Sequence, residues 1–218
     1  MSEINEVLSD ESNSAVQGGN LLSFFSEVSR EDKRFIKNSM RWAEHNADLR
    51  FNRKLESANW FEFYSGQLWS VGWGLEHEPV IVSEKSITGD VVEIWAKSLS
   101  TLLSREKVRA MKASFQLLEF DPAAIEVFTS STRKFGDFRF SPAQYNRYTE
   151  LEIVISNVRL LSSEWASTYL FWNLQHNGSQ LDIQSRRFVI NRAQIDKYRK
   201  RLNAAVAELR VREIELAG

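Results

Sequence analysis

The apolar positions between residues 29 and 52 recur with helical spacing. Ser29 can cap a helix, and Asp32 at its third position completes an acidic variant of the capping box. Apolar residues then follow at intervals of four, three and four, and they are Ile36, Met40, Ala43 and Ala47. Positions at this spacing share one face of a helix. The pattern therefore predicts a long amphipathic helix that starts near Ser29 and fades near Asn52.

A second helical pattern covers residues 59–74, NWFEFYSGQLWSVGWG, which hold three of the seven tryptophans. Asn59 and Glu62 form a capping box, and Gly72 suits the left-handed position that closes a helix. Five of the apolar side chains share an arc of about 100° on a helical projection. These are Trp60, Phe61, Tyr64, Leu68 and Val71. The geometry favours a helix whose aromatic rings fill the core over a binding surface for sugars, bases or lipid.

Two aromatic residues of this segment, Phe63 and Trp69, fall outside the arc on opposite flanks. They either pack against a second neighbour, which we favour, or are exposed for binding. Both are therefore candidate interaction residues.

Further helices are predicted between residues 90 and 135. Asp90, Ser104 and the pair Asp121-Pro122 are good residues for a helix start. Apolar residues at helical spacing follow each of these positions. The segment is therefore expected to form three short helices.

The last predicted helix starts at Asn191, with Gln194 at its third position. Its apolar residues recur at three, four, three and four, and they are Ile195, Tyr198, Leu202, Ala205 and Leu209. This narrow heptad seam suits a helix that lies on a sheet, and pairing with another helix or subunit is the open alternative.

Strand-like patterns appear at residues 80–82 and then through the C-terminal half. The later strands are predicted at 138–140, 151–161 and 167–175. Asn177-Gly178 is a strong hairpin signal. A two-residue turn centred on that pair would place Leu174 opposite Leu181 and Asn173 opposite Asp182, which matches apolar with apolar and polar with polar.

The alternation changes parity further along the last strand. Leu181 and Ile183 are odd-numbered, whereas Phe188 and Ile190 are even-numbered. A bulge near residues 185–187 would account for the change.

These patterns predict an α+β fold of about six helices and a small antiparallel sheet. The sheet would be a C-terminal hairpin or meander, closed by the C-terminal helix. Residues 1–20 carry four acids and no Lys or Arg, and are expected to form a mobile tail. Residues 21–218 are expected to form a single domain, in which LLSFF at 21–25 forms a short helix.

Composition excludes several classes of chemistry. The chain has no cysteine, so disulfides, thiolate nucleophiles and Cys-ligated metal centres are excluded. It shows no secretory signal and no run of about 18–20 apolar residues that could span a membrane. We therefore expect a cytoplasmic protein, with export by a signal-less route left open.

No motif selects a catalytic or metal site. The histidines are His45, His77 and His176, and none has a partner at metal-ligand spacing. There is no G-x-S-x-G, phosphate loop or dinucleotide fingerprint. Paired carboxylates that meet only in space stay open. We expect no cofactor and no metal.

Two surfaces are candidates for interaction. The first is basic and combines Arg186 with four residues of the last helix, Lys197, Arg199, Lys200 and Arg201. Its simpler interpretation is a solvated helix face. The second is the outer face of the predicted hairpin, with Tyr169, Phe171 and Asn173 on the strand that faces Arg186.

The first functional hypothesis is a non-enzymatic protein that acts through protein contacts, as an assembly subunit, an adaptor or a toxin-like effector. Its partner would be another protein or a second copy of the chain. The alternatives are a membrane-active effector that uses LLSFF or the displaced aromatics, and a cofactor-free hydrolase. The net charge of −1 argues against a nucleic-acid binder.

Overall fold

The computed structural model describes residues 14–25, 28–85, 89–161, 173–174, 180–209 and 211–216. Its helices are α1 (Arg30–Arg50), α2 (Ser57–Ser70), α3 (Val91–Ser98), α4 (Arg105–Phe120), α5 (Pro122–Phe135) and α6 (Arg192–Val206). Its strands are β1 (Ser14–Gln17), β2 (Asn20–Phe24), β3 (Gly74–Lys85), β4 (Gly89–Asp90), β5 (Asp137–Tyr145), β6 (Leu151–Leu161), β7 (Asn173–Leu174), β8 (Gln180–Ile190) and β9 (Glu213–Leu216).

The main sheet has seven strands in the order β3-β8-β6-β5-β2-β1-β9. β2 and β5 are parallel, and the other neighbouring pairs are antiparallel. The predicted small antiparallel sheet near the C terminus is therefore wrong. The sheet is large and mixed, because the N-terminal strands β2 and β1 extend it beyond β5 and β9 returns to form its edge beside β1.

Helices cover both faces of this sheet. On one face α1, α2 and α6 pack over a core that includes Phe35, Trp60 and Phe188. On the other face α3, α4 and α5 pack over a core that includes Trp95 and Phe140. Strands that are covered on both faces bury side chains of both parities.

This two-sided burial corrects the bulge predicted near residues 185–187. β8 pairs with β6 without interruption from Gln180 to Ile190. Leu181 and Ile183 belong to the core under α3–α5, whereas Phe188 and Ile190 belong to the core under α1, α2 and α6. The parity changes because each half of the strand contributes to a different core. The register shift lies instead in β3, between Glu76 and Val80.

The predicted hairpin partner of β8 is also wrong. Both edges of β8 are occupied, since Leu181 pairs with Leu160 of β6 on one side and with Glu84 of β3 on the other. Leu174 of β7 pairs with Gly89 of β4 in a separate two-stranded sheet. The turn at 177–178 and most of the strand predicted at 167–175 lie outside the described residues.

The N-terminal segment takes part in the sheet. LLSFF was predicted as a short helix, but residues 21–24 belong to β2, where Leu21, Leu22 and Phe24 are buried. That prediction is wrong because a strand between β1 and β5 buries consecutive apolar residues on both faces. β1 lies within the segment 1–20 that was predicted to be a tail, and residues 1–13 lie outside the described chain.

Most predicted helix starts are confirmed by the cap geometry. The side chains of Ser29, Ser104, Asp121 and Asn191 each accept a hydrogen bond from the first turn of their helix. The start predicted at Asn59 is wrong, because α2 begins at Ser57 with Glu56 as its N-cap, and the Glu56 side chain makes no capping hydrogen bond to the helix. On α6, Ala205 is exposed and Val206 is buried instead, so the heptad seam does not continue past Leu202.

Candidate functional site

The aromatic rings of residues 59–72 mainly fill the core, as predicted. Trp60, Phe61 and Tyr64 are fully buried. Phe63 is partly buried and packs edge-on against Phe51, with ring centroids 5.6 Å apart. Trp69 is the exception, with 57% of its surface exposed at the end of α2. The rings therefore build no open cleft.

Among the described residues, the other predicted interaction residues lie in different parts of the fold. Arg186 pairs with Glu62 of α2 and lies over the ring of Phe61. Arg199 pairs with Glu31 of α1 at 2.7 Å. The other three basic residues predicted on α6 are exposed, and they are Lys197, Lys200 and Arg201. Asn173 lies in β7, which pairs with β4 rather than β8, and Tyr169 and Phe171 lie outside the described residues.

A groove of about 800 Å³ lies between α1, α6 and β9. Its wall on α1 is a stripe of cations, Arg30, Lys33, Arg34, Lys37 and Arg41. Residues spaced three or four apart along a helix share a face, so α1 presents these side chains as one row. The acids of the groove are Glu31, Glu213 and Glu215, so cations exceed acids by five to three. We call this site the α1 groove.

Sequence reasoning missed this stripe because it counted α1 only as an amphipathic helix. The signal was available as Arg or Lys at positions 30, 33, 34, 37 and 41. The acids that complete the groove could not be found in the same way, since β9 follows α1 by more than 160 residues and meets it only through the fold.

At the β9 end of the groove the charges compensate each other. The Lys37 ammonium is 2.8 Å from Glu213 and also bonds Glu215, and the Arg41 guanidinium is 2.5 Å from Glu213. Burial opposes the charge of the Glu213 carboxylate, but the bond and charge of Lys37 outweigh it and lower its pKa. The same pairing raises the pKa of Lys37 against its own burial. This end is a closed ionic network.

At the α1 end of the groove two cations have no partner in the part of the chain that the structure describes. Arg30 and Arg34 are exposed, and neither forms an ion pair or hydrogen bond with any described residue. They lie in the first turns of α1, where the helix dipole disfavours positive charge, and like charges four residues apart repel each other. Cations in electrostatically unfavourable positions, with no compensating contact among the described residues, are typical of a binding site.

The start of α1 is fixed in place by Asp32, which is fully buried. Its carboxylate accepts hydrogen bonds from Arg192 at 2.6 and 2.9 Å, from Arg199 at 3.1 Å and from the Tyr145 hydroxyl at 2.5 Å. Burial raises the pKa of Asp32, but the bonds from Arg192 and Tyr145 outweigh it, so the pKa is lowered. The unpaired arginines therefore stand on a firmly held helix end.

A second cavity, of about 490 Å³, is lined by Glu44, His45 and Asp48 among others. The Glu44 carboxylate is 2.8 Å from Arg53 and 2.9 Å from Arg139, so it is held as a paired anion. Burial and the nearby Glu44 charge raise the pKa of Asp48, which accepts a hydrogen bond from the Trp60 indole. This arrangement ties α1 to the sheet and offers one carboxyl group rather than a poised acid–base pair.

A third cavity, of about 450 Å³, contains His77, Glu76 and Glu152. Arg187 forms ion pairs with both carboxylates, and Gln144 donates a hydrogen bond to Glu152. The imidazole of His77 is 3.9 Å from Glu76, beyond hydrogen-bond distance. The described residues contain no group of three or more His, Asp or Glu placed to hold a metal ion. Acid–base chemistry has weaker geometric support here than anion binding has in the α1 groove.

Comparison with known proteins adds only weak likenesses. No family model matches the chain, and no curated protein matches it. A solved delta-endotoxin structure aligns over 87% of this chain and 86% of its own, with 8% identity and a TM-score of 0.35. The structure of the Evf virulence factor aligns over 91% and 85%, with 10% identity and a TM-score of 0.39. Likenesses this distant carry no argument about function.

No helix in the described part of the chain is both long enough and apolar enough to cross a membrane.

Proposed function

We propose that the protein is a non-enzymatic binding protein whose α1 groove takes an acidic segment of a protein partner. The observation that carries the proposal is the pair Arg30 and Arg34, which have no partner among the described residues and belong to a row of five cations that lines the groove. Guanidinium groups bind carboxylates through two parallel hydrogen bonds, so a pair one helical turn apart suits a segment with several acids.

The balance of charge favours an acidic protein segment over nucleic acid. Three of the eight charged residues in the groove are acids, so its five cations leave an excess of only two positive charges. Nucleic-acid binders usually carry a stronger basic patch than this chain, whose net charge is −1. A short segment with spaced carboxylates fits the mixed lining better.

The same groove would serve an assembly subunit, an adaptor or a toxin-like effector. Static light scattering separates the first from the others, because an assembly subunit forms oligomers in the absence of any other protein. The sequence hypothesis of membrane contact through LLSFF has less support, because Leu21, Leu22 and Phe24 are buried in the sheet.

The direct test measures binding of a fluorescein-labelled peptide of about eight residues, in which Glu alternates with Thr, by fluorescence anisotropy. The double variant Arg30→Glu/Arg34→Glu is expected to weaken binding by at least about tenfold, since both free guanidinium groups are lost. Position 30 lies in the first turn of α1, where glutamate is favourable, and position 34 is exposed, so the variant is expected to fold.

The matched control is Lys197→Glu/Arg201→Glu. It also reverses two exposed cations, but on the side of α6 that faces away from Asn203 and the groove. The control is expected to bind the peptide like the parent protein. Equal loss in both variants would mean that only overall charge matters. Tighter binding to single-stranded DNA or to anionic vesicles than to the peptide would overturn the choice of partner.

A further inference from the structure

We infer that the acidic segment binds as an extended strand along the free edge of β9, with carboxylates at alternate positions facing α1. This inference rests on the proposed function and adds the binding mode and the sequence pattern of the partner.

β9 offers an open edge for such a strand. It is the last strand of the seven and pairs with β1 along residues 213–216. Within the described chain nothing pairs with its other edge, so those backbone N–H and C=O groups are available. Strand edges of this kind take up extended peptides through main-chain hydrogen bonds.

The spacing of charges on β9 shows that alternate residues of a strand can pair with residues four apart on α1. Glu213 and Glu215 lie two residues apart, and they meet Arg41 and Lys37, which lie four residues apart on α1. Two residues of a strand span about 6.8 Å and four residues of a helix about 6 Å, so the two repeats agree over a short distance. The protein's own edge strand is thus a template for acids at alternate positions.

The remaining cations of the stripe extend the same spacing along α1, past the end of β9. Arg34 and Arg30 lie on the same side of α1 as Lys37, one and two turns nearer its start. From Arg30 to Arg41 the helix rises about 16 Å, which equals the length of roughly five extended residues. An added strand with two or three alternating acids would therefore reach the two unpartnered guanidinium groups.

The opposite edge of the sheet, formed by β3, is protected against pairing with an added strand. β3 has a register shift between Glu76 and Val80, which contains Pro79, and His77 there has a positive φ of 66°. Bulges, proline and charged residues are the common devices that keep an edge strand from pairing. β9 has neither a bulge nor a proline, and its two charged residues, Glu213 and Glu215, are neutralised by Lys37 and Arg41 of the adjacent row of cations.

The experiment uses two N-methylated versions of the Glu/Thr peptide with the full chain. One version carries N-methyl groups on the Glu residues and the other on the Thr residues. In a strand, successive N–H groups point to opposite edges, so only one set can bond β9. One version is expected to bind at least about tenfold more weakly than the parent peptide, and the other within about twofold. Hydrogen exchange should slow at residues 213–216 when the parent peptide is bound.

The outcomes separate this inference from the proposed function. If the parent peptide binds through Arg30 and Arg34 but both N-methylated versions bind equally well, or equally poorly, the strand mode is overturned and the groove function stands. If the parent peptide does not bind, the proposed function itself fails. A peptide with the same composition but with all Glu residues adjacent should bind more weakly than the alternating one, and tighter binding would contradict the spacing argument.

Discussion

At the scale of single residues, both the backbone conformation and a tertiary contact require glycine at position 72. Its φ is +98°, and it stands just after α2, where the amides of Gly72 and Trp73 bond the carbonyls of Trp69 and Leu68. This pattern is a Schellman closure, which requires the left-handed conformation. A Cβ at this position would also lie 2.7 Å from the ring of Tyr198 on α6.

The substitution Gly72→Ala should therefore reduce the free energy of unfolding by about 1–3 kcal/mol, because the positive φ is strained for alanine and Tyr198 must move. Urea denaturation measures the change. Gly66→Ala is the control, since Gly66 lies inside α2 with no atom within 4 Å of an added Cβ. That change should stabilise by about 0.5–1 kcal/mol. Equal effects at the two positions would contradict the strain argument.

The helix caps are the features that can be predicted most directly from the sequence. The caps at Ser29, Ser104, Asp121 and Asn191 depend on groups two or three positions away, so local spacing finds them. Asn59 failed because a turn at Asn52, closed by the amides of Leu55 and Glu56, starts the next helix earlier.

At the scale of elements, ion pairs join α1 to α6 and to β9. Asp32 joins its start to Arg192 and Arg199 of α6, and Lys37 joins its middle to β9. Each of these pairs spans more than 150 residues of sequence, so the sequence could reveal Asp32 as part of a cap but not as the anchor for α6. The register of β8 was missed for the same reason, because its neighbours β3 and β6 are chosen by the two cores.

The Asp32 anchor makes a prediction about pH. The pKa of Asp32 is lowered in the folded state from the ordinary value of 3.8, so the folded state binds its proton less readily than the unfolded state. The contribution of Asp32 is then fully present above about pH 4–5 and is lost as the pH falls below the unfolded value. Asp32→Asn should cost about 1.5–3 kcal/mol at pH 7, and this difference from the parent should shrink toward pH 3.

Urea midpoints measured from pH 3 to pH 7 test this prediction. The control is Glu31→Gln, which removes the exposed acid that pairs with the same Arg199. It should cost less than about 1 kcal/mol, since exposed ion pairs contribute little. A cost for Asp32→Asn that does not change with pH would mean that packing, rather than the charge of Asp32, holds α1 in place.

At the scale of the whole molecule, one sheet serves two cores. Strands β5, β6 and β8 contribute side chains to the core under α1, α2 and α6 and to the core under α3, α4 and α5. The sequence carries this information as long apolar runs and a change of parity in β8. The change was interpreted as a bulge near residues 185–187 because only one covered face was expected. Helices on the second face were predicted individually, but nothing in their local pattern told which face they would cover.

The shared sheet predicts that the two cores unfold together, because neither face can lose its helices without exposing strands that the other core needs. Phe140 and Phe188 give a matched pair, since both are fully buried on strands of the sheet but belong to opposite cores. Phe140→Ala and Phe188→Ala should each lower the free energy of unfolding by about 3–5 kcal/mol. Calorimetry should show one transition in both variants, with tryptophan fluorescence changing at the same temperature. If either variant shows two transitions, of which only one is shifted in temperature by the substitution, the two cores unfold as separate units despite the sheet they share.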